Sequence, residues 1–231
     1  MSLIQPARRQ NEKDRSTPFS EVDWTLTSLR DRALDDQISS IVGMGEKVLD
    51  LGCGRGDLLA RLRSDHRIRE SGVEIDGEAA SEAIARGLSV THGDLEESLA
   101  SFSDFSWDLV ILNQVITVIR DPVAVLRESL RVGRRAVVTF PNFAVFRTRF
   151  QLAMRGRLPI TPSLPYKWYD TPNIRLVTVK DFRTLCRQME LKIIKEAYVG
   201  RAKSGRFKPV GMWPNLRASS ALFLLSREEG V

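Results

Sequence analysis

The sequence predicts an α/β protein built on a doubly wound, mostly parallel sheet of seven strands. Three observations carry that expectation. Short apolar runs alternate with segments of helical periodicity from Glu46 to Phe140, as in a parallel sheet covered by helices on both faces. The runs are apolar nearly throughout, which suits strands buried on both sides. A turn with three alternating glycines, Gly52, Gly54 and Gly56, stands between the first strand and the helix after it.

Residues 1–20 carry Arg8, Arg9, Lys13 and Arg15 among polar neighbours. They read as a disordered basic tail lacking the apolar stretch of a secretory signal. Residues 21–231 read as a single domain. Leu26, Leu29, Ala33, Ile38, Ile41 and Val42 recur at roughly helical spacing, which places a helix over Trp24–Val42 with Gly43 as its stop. Glu46–Leu51 is the first strand, and Leu58–Arg63 the helix after the glycine turn. Gly72–Ile75 is the second strand, Gly77–Arg86 a helix ended by Gly87, and Leu88–His92 the third strand. Asp108–Leu112 is the fourth. Asp121–Arg131 opens with Asp at the N-cap and Pro122 at the first helical position, a favoured helix start. Arg135–Phe140 is the fifth strand, followed by a helix over Phe143–Arg155. An insert at about 156–176 interleaves Pro159, Pro162, Pro165 and Pro172 with Tyr166, Trp168 and Tyr169. A stretch of that length without periodicity is usually functional or disordered, and its aromatics argue against disorder. Val179–Met189 is a helix, and Leu191–Val199 and Ala218–Ser226 complete the sheet.

The composition is that of a globular protein, with 42% hydrophobic and 28% charged residues. No apolar run reaches the roughly 18 residues of a membrane span. Net charge is +6, with local concentrations at Arg147–Arg157 and Arg201–Lys208; solvated faces or an anionic partner surface account for such clusters. Two cysteines, Cys53 and Cys186, are expected as reduced thiols in the cytoplasm. With His66 and His92 they offer no zinc-site spacing.

A dinucleotide fingerprint would need its third glycine at position 57, where Asp57 stands. The run Asp50-Leu51-Gly52-Cys53-Gly54-Arg55-Gly56 instead resembles motif I of the class I S-adenosylmethionine methyltransferases. Side-chain-free backbone adopts positive φ and admits a ligand closely, and the helix start beyond it offers N–H groups to a carboxylate. Glu74 lies 22 positions after Gly52, where an acidic residue accepts from ribose hydroxyls. In that superfamily an aspartate after the third strand contacts the adenine amino group, which points to Asp94. Asp108–Asn113 matches its fourth-strand motif, facing cofactor and substrate. The resemblance therefore implies a Rossmann-like sheet with its last strand antiparallel. It also implies a pocket for S-adenosylmethionine or S-adenosylhomocysteine formed by Asp50, Gly52, Cys53, Gly54, Gly56, Glu74, Ile75, Asp94, Leu95 and Asn113.

The sequence offers no evident catalytic base. The fourth strand runs into Asn113-Gln114-Val115-Ile116, without the Pro-Pro-aromatic sequence that nucleic-acid amino methyltransferases use on a flipped base. The fifth ends Phe140-Pro141-Asn142, without a Pro-Cys nucleophile. Neither a nucleic acid nor a membrane is an expected partner.

The segments Arg155-Gly156-Arg157-Leu158-Pro159, Leu164–Ile174 with its Tyr166-Lys167-Trp168-Tyr169-Asp170-Thr171-Pro172-Asn173 core, and Val179-Lys180-Asp181-Phe182 are more specific. With the glycine turn and Gly72–Asp76, they make the chain similar to the methionine-biosynthesis MetW family from about Asp31 to Val199. Arg175 stands where a histidine after Asn-Ile is expected in many relatives. The resemblance implies a bacterial, cytoplasmic accessory protein that binds S-adenosylmethionine and supports or regulates homoserine O-acyltransferase. A methyltransferase of a small molecule or protein is the alternative, with Arg147, Arg149 or Arg175 binding a substrate carboxylate.

Overall fold

A computed structural model describes residues 32–158, 160, 167–169, 171, 173–201 and 207–227. The expected basic tail, the part of the expected first helix before Arg32 and much of the aromatic insert lie outside these residues. Helix α1 spans Arg32–Ser39, β1 Lys47–Leu51, α2 Asp57–His66, β2 Arg69–Glu74, α3 Gly77–Ala85 and β3 Val90–His92. Then come α4 Leu95–Leu99, β4 Trp107–Asn113, α5 Pro122–Val132, β5 Gly133–Pro141 and α6 Phe146–Arg155. The chain continues with α7 Val179–Gln188, β6 Leu191–Arg201, β7 Phe207–Pro209, α8 Pro214–Arg217 and β8 Ser220–Arg227.

The sheet order is β3-β2-β1-β4-β5-β8-β6-β7. Strands β1 to β5 pair in parallel, with Val48 opposite both Glu70 and Leu109. The expected antiparallel last strand is β8, which opposes β5 on one side and β6 on the other. The described sheet has eight strands rather than seven. The additional one, β7, is a three-residue edge strand whose Pro209 suits an edge, because proline donates no ladder hydrogen bond. So short a strand leaves no alternation to read.

Alternate residues of β1, β4, β5 and β8 enter two cores, as a doubly covered sheet requires. Leu49, Leu51, Val110, Leu112, Val138 and Phe223 pack toward α5 and α7. Val48, Leu109, Ile111, Val137 and Leu222 pack toward α1 and α2. The rings of Phe140, Phe182 and Phe223 meet at 4.8–5.7 Å and fasten α7 to the antiparallel half. The expected cap of α5 is present, with Asp121 accepting the Ala124 N–H at 2.9 Å. Strand β2 begins at Arg69, three residues before the expected start, because Arg69, Glu70 and Ser71 pair with β1 although they are polar. Helix α1 ends at Ser39, short of Val42, and α4 was not foreseen. Among the described residues, no helix is long and apolar enough to cross a membrane, and no cluster of three potential ligands could hold a metal ion.

Candidate functional site

The chain moves outward from β1 through β2 to β3, then crosses to β4 and β5 on the other side of β1. Ligands of open α/β sheets sit at the carboxyl ends of the strands where that reversal occurs. The glycine turn leaves β1 at this point, and Asn113 and Gln114 leave β4 beside it.

The turn is built from left-handed backbone, with φ of +78° at Gly52, +56° at Gly54 and +74° at Gly56. Two of these glycines are also demanded by packing. A Cβ on Gly52 would lie 2.4 Å from Val115 Cγ1 and one on Gly56 2.2 Å from Leu88 Cδ1, so the protein's own side chains take that space. Asp50 is buried beneath the turn. Cys53 is buried too, its Sγ so near Gly72 that a Cβ there would stand 2.5 Å from it. The thiol therefore faces β2, and only the Cys53 backbone lines the turn. Gly56 caps α2 without a side-chain hydrogen bond, and a helix start offers backbone N–H groups to an anionic group.

Glu74 ends β2 and is 8% exposed. Its Oε2 accepts the Gly54 N–H at 2.6 Å and its Oε1 the Asp76 N–H at 2.9 Å. The carboxylate thus ties the glycine turn to the turn after β2. Each oxygen keeps acceptor capacity for a second donor. Ile75 follows with 62% of its surface exposed, an apolar face beside the carboxylate. His92 Nε2 lies 3.1 Å from the Ile75 carbonyl oxygen and steadies that backbone. Asp94 caps α4, its Oδ1 accepting the Glu96 N–H at 2.8 Å, and Leu95 turns toward the core.

On the β4 side, Asn113 joins two elements. Its Oδ1 accepts the Thr139 hydroxyl at 2.6 Å and its Nδ2 donates to Asp35 Oδ1 at 3.3 Å. Gln114 has φ of +63°, its N–H held by Thr139 Oγ1 and O. Left-handed backbone at a non-glycine is costly and collects at functional positions.

A clamp over this loop is invisible in the sequence. The buried Thr117 hydroxyl donates to Asn173 Oδ1 at 2.7 Å, while Ile174 and Arg175 donate their N–H groups to the Thr117 carbonyl. The Arg175 guanidinium donates to the Ile119 carbonyl at 3.1 Å and to the Arg120 carbonyl. Arg149 Nε donates to the Ala144 carbonyl at 2.6 Å. Arg175 and Arg149 are thus engaged with backbone, which weakens both as substrate-carboxylate ligands. Trp168 and Tyr169 stand outward, rings edge to face at 5.6 Å.

The residues fit a ligand with an adenosine and a charged end. Glu74 suits a diol, Ile75 an aromatic base face, Asp94 an exocyclic amine, and the backbone N–H groups at the start of α2 a carboxylate.

Solved structures share this architecture at low identity. A methyltransferase dependent on S-adenosylmethionine from Archaeoglobus fulgidus superposes with a TM-score of 0.63 at 14% identity, over 87% of this chain and 94% of that one. The [4+2]-cyclase SpnF superposes with a TM-score of 0.61 at 16% identity, over 86% of this chain and 82% of that one. The fold is therefore that of the Rossmann-like methyltransferases, and a shared fold does not select a reaction. A curated relative, the bifunctional methionine biosynthesis protein MetXA/MetW of Rhodopirellula baltica, is 37% identical in an alignment of 203 positions that covers 84% of this chain. The match spans 32% of that relative's length. Residues 32–225 match the family described as methionine biosynthesis protein MetW, and the chain belongs to that family.

Proposed function

We propose that this chain is a cytoplasmic accessory protein of methionine biosynthesis. It binds S-adenosylmethionine or S-adenosylhomocysteine at the glycine turn and supports or regulates a homoserine O-acyltransferase. One observation carries the reading: the relative from Rhodopirellula baltica joins a MetXA unit and a MetW unit in one polypeptide. We read the MetXA unit as the acyltransferase. Covalent joining raises effective concentration, an advantage for units that work together. In the ligand's pose, Glu74 takes the ribose hydroxyls, Ile75 and the Leu95 backbone flank the adenine, and Asp94 meets its amino group. Gly54 provides the close backbone approach and the start of α2 the carboxylate site, while Asn113 borders the sulfonium side. S-adenosylmethionine is made from methionine, so its binding suits feedback on an early step.

Both described histidines serve the framework, His66 beside Ser39 Oγ at 2.9 Å and His92 beside the Ile75 carbonyl. No base is thereby assigned for a proton-losing acceptor. Calorimetry with S-adenosylhomocysteine, followed by co-purification with the acyltransferase, tests the proposal. Binding and a stable complex are expected; neither one forming would end it. The alternative, methyl transfer to a small molecule or protein, draws on the polar Asn113–Thr139–Asp35 group at the acceptor end. Label transferred from S-adenosylmethionine to a component of cell extract would favour it.

A further inference from the structure

Helix α6 has a face that the rest of the described chain does not cover. Phe146, Phe150 and Met154 recur at i, i+4 and i+8, which sets them on one side of the helix. They are 51%, 66% and 69% exposed, and Thr148 is the helix's one buried residue. A ten-residue helix is marginal alone and normally gains its stability by burying an apolar face. Large exposed aromatic and Met side chains in a row mark contact surfaces. The root of α6 is rigid. Asn142 donates to the Asn215 and Ala218 carbonyls at 3.1 and 2.8 Å and accepts the Ala144 N–H at 3.1 Å.

We propose that this face of α6 is where the chain docks homoserine O-acyltransferase, through an apolar patch on that enzyme rimmed by acidic residues. The inference rests on the function proposed above and adds its surface. Charge identifies the rim: residues 141–169 carry Arg147, Arg149, Arg155, Arg157 and Lys167 and no acidic residue. Such a field draws an acidic partner and orients it. The same field disfavours a second copy, because a two-fold contact would set α6 against α6 and arginine against arginine. The relative that carries both units in one polypeptide supplies the identity of the occupant.

The test measures binding of the full chain to the purified acyltransferase, with Phe150→Glu, Met154→Glu and, as control, Met44→Glu. Met44 is equally exposed but precedes β1, at the opposite end of the sheet. Wild type and Met44→Glu should bind alike, and both α6 variants should lose about 30-fold or more, the scale of an interface hot spot. Unchanged thermal melts and unchanged S-adenosylhomocysteine affinity should show that the α6 variants are folded. A wild-type complex that Phe150→Glu leaves intact overturns the surface and leaves the function standing. No wild-type complex overturns the function itself. A wild-type homodimer that Phe150→Glu makes monomeric, or wild-type binding to anionic vesicles that Phe150→Glu abolishes, replaces the acyltransferase as the occupant and overturns the proposal.

Discussion

Gly56→Ala is a demanding test of how the glycine turn is built, because its cost divides into two parts. The first is conformational: φ at Gly56 is +74°, and left-handed backbone costs an alanine about 1–2 kcal/mol. The second is steric. The new methyl would start 2.2 Å from Leu88 Cδ1 and 3.3 Å from Ala83 Cβ, both buried, so Leu88 must move within a packed core. Overpacking of that kind costs about 1–3 kcal/mol. The sum, roughly 2–5 kcal/mol, should lower Tm by about 4–20 °C for a protein of this size. Gly87→Ala isolates the first part, since φ there is +76° and nothing lies within 4 Å of the added Cβ. Urea denaturation of both variants should therefore differ by about 1–3 kcal/mol. Leu88→Ala makes room for the methyl, so the double variant Gly56→Ala/Leu88→Ala should lose less than the sum of the single losses. Equal costs for Gly56→Ala and Gly87→Ala, with additive behaviour in the double variant, would refute the packing argument.

Glu74→Gln removes one of the two acceptors holding the Gly54 and Asp76 N–H groups and sets an amide donor against a donor. Calorimetry should show S-adenosylhomocysteine affinity reduced by about tenfold or more, and unchanged affinity would contradict the assigned pocket. Thr117→Val keeps the shape but takes the hydroxyl from Asn173, at about 1–2 kcal/mol, and hydrogen exchange at the Ile174 and Arg175 amides should quicken; unaltered exchange would remove the clamp. Burial acts to raise the Glu196 carboxyl, but hydrogen bonds from Arg183 and Tyr198 outweigh it and hold the group below its ordinary 4.5. A depressed carboxylate stabilises above the ordinary value and loses that contribution as pH falls through the folded one. The stability gap between wild type and Glu196→Gln should thus be widest near neutral pH and shrink below about pH 4; a gap independent of pH would contradict the pairing.

Much of this architecture is legible in residue order because its causes are local or periodic. Asp121 and Pro122 announce α5 by their own chemistry, and β1, β4 and β5 are apolar runs because helices cover both their faces. Glu74 and the glycine turn are legible as a pair because their spacing is fixed by one helix and one strand. What stays hidden is held by distant partners. The clamp joins Thr117 to Asn173 and Arg175 across more than fifty residues, and nothing in residue order pairs the two ends. His92 reads as a strand terminus until Ile75 is placed beside it. Strand β7 and helix α4 are too short for periodicity, and the polar start of β2 is a strand only because β1 lies alongside. Packing gives a reason for two of the glycines that residue order hides: Gly52 and Gly56 make room for Val115 and Leu88, the protein's own side chains.

The most direct test of the proposed function is the rate of homoserine O-acylation by the purified acyltransferase, measured with and without this chain and across a titration of S-adenosylmethionine. The predicted result is a rate that changes when the chain is added, responds further to S-adenosylmethionine, and loses that second response in Gly54→Val. A rate indifferent to the chain at every concentration of both would contradict it.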